Sequence, residues 1–357
     1  MTMTPESPVP YRLTRVGVVM TPEPGNADEA EGVLNPASGR GPDGELYLLP
    51  RLVADGNVSR VGLARVVVED GVPVSVEREG VVLQPDRGWE RGADNAGTED
   101  PRTTWIDALG LHVMTYVAYG PLGPRTAVAV SEDLREWKRL GPVLFRYQDD
   151  LDMDLNLFHN KDTVFFPEPV TAPDGTEALA VLHRPMWDLG ETKLGQGVRV
   201  PAGVEDERQS IWISYVPLAS VRDDLANLAL WEQHHFVAGP QFPFEEVKIG
   251  GGPPPLRIPE GWLVLHHGVT GVIDSAFSQQ QKVNYAAGAL ILDAADPRRV
   301  IARTSAPLLA PETDDERSGI VPNVVFPTAI EEIDGRHFVF YGMADSKIGV
   351  ALLERTD

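Results

Sequence analysis

The sequence predicts an all-β protein, a five-bladed β-propeller in one domain (1–357) closed by its own N-terminal strand. Three observations predict it. Glycine (34) and proline (31) are abundant, and sustained helical periodicity is scarce. Short runs of Val, Ile, Leu and Tyr alternate with Pro, Gly and Asp turns, the pattern of many short strands. A weak repeat recurs five times, and four-stranded blades joined by unequal loops would give its uneven spacing.

Each copy opens with a polar residue ahead of an apolar run: Asn35, Asp100, Lys161, Lys248 and Asn323. Second strands follow as ELYLLPR (45–51), LHVMTYV (111–117), ALAVLHR (178–184), WLVLHHG (262–268) and HFVFYGM (337–343). Third strands begin at Ser59, Arg125, Gln209, Asn284 and Ser346. WKRLGPVL (137–144) and WEQHHFVA (231–238) suit fourth strands, but the last copy has none left. LTRVGVVMTPE (13–23) resembles IARTSAPLLAPE (301–312), and both precede an acidic loop, a Gly and an Asn. The segment 11–23 is therefore expected to be the outer strand of the last blade. Residues 221–230 read as a short helix, 185–208 as a long insertion loop and 148–156 as a solvated acidic loop. That last segment lacks the glycine and terminal glutamate of a calcium loop.

Composition excludes several function classes. With 31 Lys plus Arg against 53 Asp plus Glu, the net charge is −22, unsuited to nucleic acid. The absence of Cys removes disulfides, thiolate zinc sites and Cys nucleophiles. No apolar run approaches the roughly 18 residues of a membrane span. The start, MTMTPESPVP, has neither a basic nor an apolar signal region, so a cytoplasmic location is expected. A homo-oligomer is left open.

In a propeller, residues opening the first strands and ending the second strands converge at one end of the channel. Here they include Asn35, Glu99, Asp100, Lys161, Lys248, Arg51, Tyr116, Arg184, His266 and His267. Charged groups are rarely buried unless paired, so cations converging in an acidic protein point to an anion site. Asp100 faces them from Glu99-Asp100-Pro101-Arg102. Pro101 is expected to hold Asp100 extended, and Arg102 to pair with Glu99 or another carboxylate. In KIGGGPPP (248–255) the glycines would let a ligand approach the backbone. Adjacent strand residues point oppositely, so His266 and His267 suit one site residue and one packed residue better than a metal pair. No metal is expected. Trp137, Trp212, Trp231 and Trp262 fit core packing first and sugar stacking second.

Several segments resemble glycoside hydrolase family 130, the mannoside phosphorylases and related β-mannosidases. They are EDPR at Glu99, SEDLxxW at Ser131, HNKDxxxFPE at His159, HRP at His183, KIGGGPPP at Lys248, HHG at His266, GIVPNVVFP at Gly319 and YGMAD at Tyr341. The resemblance implies a five-bladed propeller that cleaves β-mannosides with phosphate and inverts the anomeric centre, giving α-mannose 1-phosphate. It implies Asp100 as the acid and Lys161, Arg184, Lys248 and His267 as phosphate ligands. Asn35, Arg51, Arg60 and Asp345 would bind the mannosyl ring, with Tyr116 added from the list above. Phosphate is then a co-substrate and no cofactor is expected. An inverting hydrolase would need two carboxylates around a water. That reading and a non-catalytic sugar-binding propeller stand as alternatives.

Overall fold

The computed structural model describes residues 9–192, 195–273 and 280–356. The chain is almost wholly β. Among the described residues, backbone pairing falls into five antiparallel meanders of four main strands each.

The first is Gly32–Arg40, Leu46–Ala54, Val58–Glu69 and Val72–Leu83. The second is Ala96–Ile106, Leu111–Gly120, Gly123–Ser131 and Lys138–Pro142. His159–Phe165, Glu177–Met186, Ile211–Pro217 and Leu230–Ala238 make the third. Lys248–Gly251, Gly261–Val272, Lys282–Leu292 and Val300–Arg303 make the fourth. The fifth takes Val325–Ile333, Arg336–Met343 and Lys347–Arg355, and its remaining strand is Tyr11–Met20 from the other end of the chain. Tyr11 pairs with Arg355 and Met20 with Ile348, antiparallel throughout.

Alternation along these strands sets the packing, because side chains two apart share a face. Five apolar clusters result, each filled from two consecutive meanders. Val113 and Val130 of the second meet Phe165 and Trp212 of the third. Ile213 of the third meets Val264 and Leu290 of the fourth, and Leu265 of the fourth meets Val339 and Tyr341 of the fifth. Phe338 and Val350 of the fifth pack on Leu48 and Val66 of the first, while Leu49 and Val61 pack on Met114 and Ala129 of the second. Each fully buried Val, Leu or Phe contributes roughly 1.5–3 kcal/mol. Trp212, Trp231 and Trp262 are buried, consistent with packing.

Three first strands share one irregularity. Ladder register slips between Leu34 and Ala37, between Glu99 and Arg102, and between Lys161 and Val164. At each slip a non-glycine residue is left-handed: Asn35 (φ 42), Asp100 (φ 46) and Asp162 (φ 54). Such bulges re-aim side chains and concentrate at functional sites. The extended conformation expected for Asp100 ahead of Pro101 is thus overridden by the bulge. A second device joins the first two meanders. Gly97 (φ 120) runs parallel to Ser59, where a Cβ would lie 2.1 Å from the Ser59 carbonyl oxygen.

The short helix expected at 221–230 is present three residues earlier, as a six-residue α-helix, Leu218–Asp223, followed by a 3₁₀ helix, Leu225–Ala229. Within 185–208 a hairpin forms from Asp188–Thr192 and Gly195–Val198. Residues 193 and 194 of that insertion, and 1–8 of the start, lie outside the described residues. The acidic stretch 148–156 contains two 3₁₀ turns, Asp149–Leu151 and Leu155–Leu157.

Candidate active site

The bulges and second-strand ends meet at a cavity of about 420 Å³. Asn35, Arg51, Asp100, Lys161, Arg184, Lys248, His267 and Asp345 all line it, so eight of the ten residues singled out from sequence come together. Glu99, Asp162, Tyr119, Tyr285 and Gln209 join them.

Asp100 sits among donors. Its Oδ1 accepts from Asn35 Nδ2 at 2.8 Å and from Arg51 Nη1 at 3.1 Å. Arg51 is itself fixed, donating from Nε to Ser59 Oγ at 2.8 Å and from Nη2 to Glu99 Oε1 at 2.8 Å. Glu99 also receives Lys161 Nζ at 3.3 Å. Burial alone would push the Asp100 carboxyl up, but Arg51, Lys161 and Arg102 with the Asn35 amide hold it below the ordinary aspartate value. Asp345 goes the other way. Burial, reinforced by Asp100 and Glu99 against the pull of Arg51 and Lys161, pushes it up to about 6.

On the other side, Arg184 Nε donates to Asp162 Oδ2 at 2.5 Å, and His267 Nε2 lies 3.5 Å from the same oxygen. Arg184 Nη1 also donates to Gln209 Oε1. Two of the converging cations are therefore neutralised: Lys161 by Glu99 and Arg184 by Asp162. Lys248 is the exception. Among the described residues it has no ion pair, and its Nζ lies 5.4 Å from the centre of the Tyr285 ring. Burial, with Arg184 and Lys161 nearby, brings its pKa down to about 7. His267 is buried against Phe326 and Tyr285, at 4.4 and 5.6 Å between ring centres. Desolvation, with Arg184 and Lys248, takes it well below the ordinary histidine value. An incoming anion would reverse both penalties by favouring the charged forms.

Two sequence expectations fail for reasons of register. Tyr116 lies one residue before Val117, the partner of Glu99, so it faces away from the cavity and donates its hydroxyl to Glu90 Oε1 at 2.6 Å. Its counterparts are His266, which bonds Glu245 at 2.8 Å, and Tyr341, which bonds Glu316 at 3.0 Å. His266 and His267 do split, one packed and one in the cavity. Tyr119, further along the strand, reaches the cavity instead. Arg60 pairs with Asp28 and does not line the cavity, since its neighbour Ser59 is the residue turned toward Arg51.

Two local readings also change. Among the described residues Arg102 pairs with no carboxylate; it donates to the backbone carbonyls of Gly252, Asp100 and Pro101 and so ties the acid's bulge to KIGGGPPP. Gly250 serves the protein's own packing rather than a ligand. A Cβ there would lie 2.1 Å from Asp162 Oδ2 and 2.5 Å from His267. Asp162 and Glu99 were visible in the sequence beside Lys161 and Asp100, but only the bulges reveal that both neighbours of each pair turn inward.

Comparison with known proteins identifies the family. Residues 33–356 match glycoside hydrolase family 130, described as beta-1,4-mannooligosaccharide phosphorylase. A 1,2-beta-oligomannan phosphorylase of Thermoanaerobacter sp. (strain X514) is 31% identical over 304 residues, 84% of this chain and 80% of the relative. A beta-1,2-mannobiose phosphorylase of the same organism is 32% identical over 303 residues, 84% of this chain and 78% of its own. Among solved structures, the Listeria innocua beta-1,2-mannobiose phosphorylase in complex with beta-1,2-mannobiose shares the fold with a TM-score of 0.69 at 21% identity, over 98% of this chain and 97% of that one. From the match across nearly its whole length, the chain belongs to glycoside hydrolase family 130.

Proposed function

We propose that this chain is an inverting phosphorylase that cleaves β-mannosides with inorganic phosphate and releases α-mannose 1-phosphate. The observation that carries the reading is the division of one cavity. Asp100, paired with Arg51, faces a basic set of Lys161, Arg184, Lys248 and His267, in which Glu99 pairs with Lys161 and Asp162 with Arg184. Asn35, Arg51 and Asp345 bind the mannosyl ring on the Asp100 side.

In the reaction, a phosphate oxygen attacks the anomeric carbon from the face opposite the leaving group. The C–O bond to the leaving sugar breaks, and Asp100 supplies its proton, directly or through a sugar hydroxyl. Free Asp100 is held ionised, so it must be loaded. Phosphate entering beside Lys161 offsets the positive field that keeps the carboxyl acidic, and an acid phosphate brings the proton with it. Phosphate is already an anion, so no general base and no further cofactor are needed.

The scaffold for this chemistry is a single-domain five-bladed β-propeller closed by the N-terminal strand. Five meanders, and five apolar clusters that run from each to the next and from the fifth back to the first, support that reading. A cytoplasmic location is part of this proposal, and the net charge of −22 argues against a nucleic-acid partner. β-1,2-linked mannosides are the first substrates to test, since relatives aligned over most of the chain carry that linkage in their names.

One observation favours hydrolysis as the second reading. Asp345 has a raised pKa and, among the described residues, no ion pair, which suits a general base. Family 130 also contains a structure associated with glycoside hydrolases that target beta-1,2 mannosidic linkages in Candida mannan, with a TM-score of 0.72 at 22% identity over 97% of this chain and 96% of that one. The deciding experiment is turnover of β-1,2- and β-1,4-linked mannosides with and without phosphate. Phosphorolysis requires phosphate; equal turnover without it would assign the chain to the hydrolases.

A further inference from the structure

Asp162 has no part in the reaction as written, yet within the fold it is the counterpart of the acid. Lys161 faces Arg184 in the third meander as Glu99 faces Val117 in the second. The ladder slips after each, and the next residue is left-handed: Asp162 in one, Asp100 in the other. The two carboxylates leave consecutive meanders at the same point, and both line the cavity.

Their neighbours differ. Asp100 meets an amide and Arg51, whereas Asp162 Oδ2 holds Arg184 Nε at 2.5 Å with His267 Nε2 at 3.5 Å. Asp162 is buried, and the missing Cβ of Gly250 leaves the space that it and His267 fill. Arg184 is gripped twice, at Nε by Asp162 and at Nη1 by Gln209. Among the described residues its Nη2 has no partner, so one arm of a planar fork is left for the cavity. Electrostatics alone argues against a carboxylate here, because it repels the anion that the basic set would attract. Its presence is explained by orientation: a buried guanidinium needs an acceptor to fix its plane before the ligand arrives, and the same oxygen lies against the edge of the His267 ring.

We infer that Asp162 is a positioning residue for phosphate, holding Arg184 and His267 in the orientation that receives it. The inference rests on the phosphorylase reading above. Charge and orientation make opposite forecasts for its removal, which makes the point testable. Without the charge an anion would bind more tightly; without the acceptor two ligands would lose their alignment and it would bind less tightly.

The test is two-substrate kinetics for the wild type, Asp162→Ala and Asp162→Asn, with thermal melts in parallel. Asp162→Ala is expected to raise KM for phosphate by about tenfold, the equivalent of one charged hydrogen bond, with KM for the mannoside little changed. Asp162→Asn keeps an oxygen acceptor for Arg184 Nε and is expected to recover part of that loss. A merely structural role would lower the melting temperature of both variants without separating the two KM values. An unchanged or lowered KM for phosphate, equal effects of Ala and Asn, or parallel rises in both KM values would overturn the inference. If Asp162→Ala does not fold, Asp162→Asn decides alone: a raised KM for phosphate supports positioning, and an unchanged or lowered one refutes it. A wild type active without phosphate would remove the reading underneath, whereas a phosphate-dependent wild type with an indifferent Asp162→Ala would sink this inference only.

Discussion

Asn35 and Asp100 occupy the same left-handed bulge in consecutive meanders, and the amide of the first donates to the carboxylate of the second at 2.8 Å. The acid of one repeat is therefore aimed by the repeat before it.

Asp100→Asn is expected to lower turnover by about 10²–10⁴-fold, the usual contribution of general acid catalysis, while the melting temperature stays close to that of the wild type. The substitution keeps shape and removes the proton. Near-normal rates on an unactivated mannoside would exclude Asp100 as the acid.

Asn35→Ala removes a hydrogen bond that favours the charged form of Asp100, so the carboxyl pKa should rise. An acid is active while protonated, and activity falls as pH climbs through its pKa. The alkaline limb of the kcat profile should therefore move to higher pH, with kcat lower because the carboxylate is less well aimed. A limb moved to lower pH would contradict the assignment.

Lys248→Ala should weaken phosphate handling by about one to two orders of magnitude, since a hydrogen bond to a charged group contributes roughly 1.5–3 kcal/mol. The pH dependence gives a second readout. Lys248 titrates near 7 in the free protein, so phosphate capture by the charged form is favoured below that value and lost above it. Phosphate's own ionisation affects every variant alike. The difference between kcat/KM profiles for wild type and Lys248→Arg, which stays charged, isolates the lysine. Superimposable profiles would show that Lys248 does not titrate in this range.

Tyr116→Phe should leave the mannoside KM unchanged and reduce stability by about 1–2 kcal/mol, because its hydroxyl bonds buried Glu90 rather than a sugar. A raised mannoside KM with normal melting would restore Tyr116 to the binding site.

Arg15→Ala tests the pairing of Tyr11–Met20 with the fifth meander. Arg15 Nε donates to fully buried Glu316 Oε1 at 2.9 Å, and Glu316 in turn accepts from Tyr341. That carboxylate keeps its bonds from Tyr341 and from the backbone N–H groups of Glu312 and Thr313, but losing its charged partner should cost about 1–3 kcal/mol in chemical denaturation. Deleting residues 1–20 should cost far more, by baring the edge of Lys347–Arg355. A truncated protein that melts with the intact one would refute the role given to this strand.

Much of this was legible from the sequence because it is carried by periodicity. The five second strands and an N-terminal strand follow from alternating apolar runs, and Tyr11–Met20 pairs with Lys347–Arg355. Alternation made it legible that one of His266 and His267 faces the cavity, and the family resemblance pointed to His267. Parity failed at Tyr116, where one step of register exchanges the two faces. The bulges were not legible at all. Asn and Asp tolerate the left-handed region better than other non-glycine residues, but nothing singles out these three, and for Asp100 the following proline suggested the opposite. Gly250 misled for a related reason: a sequence records that a side chain is missing but not which neighbour needs the space.

The union of Tyr11–Met20 with Lys347–Arg355 also has a consequence in time. Translation makes the first strand of this pair long before its partner. Until then the strand has no partner edge, and the cluster shared by the fifth and first meanders lacks one wall. The contact spans nearly the whole chain, the kind of closure that slows folding and exposes apolar edges to aggregation. While the ribosome is still adding the fifth meander, Val18, Val19 and Met20 remain a segment that a chaperone, or a second copy of the chain, could occupy first.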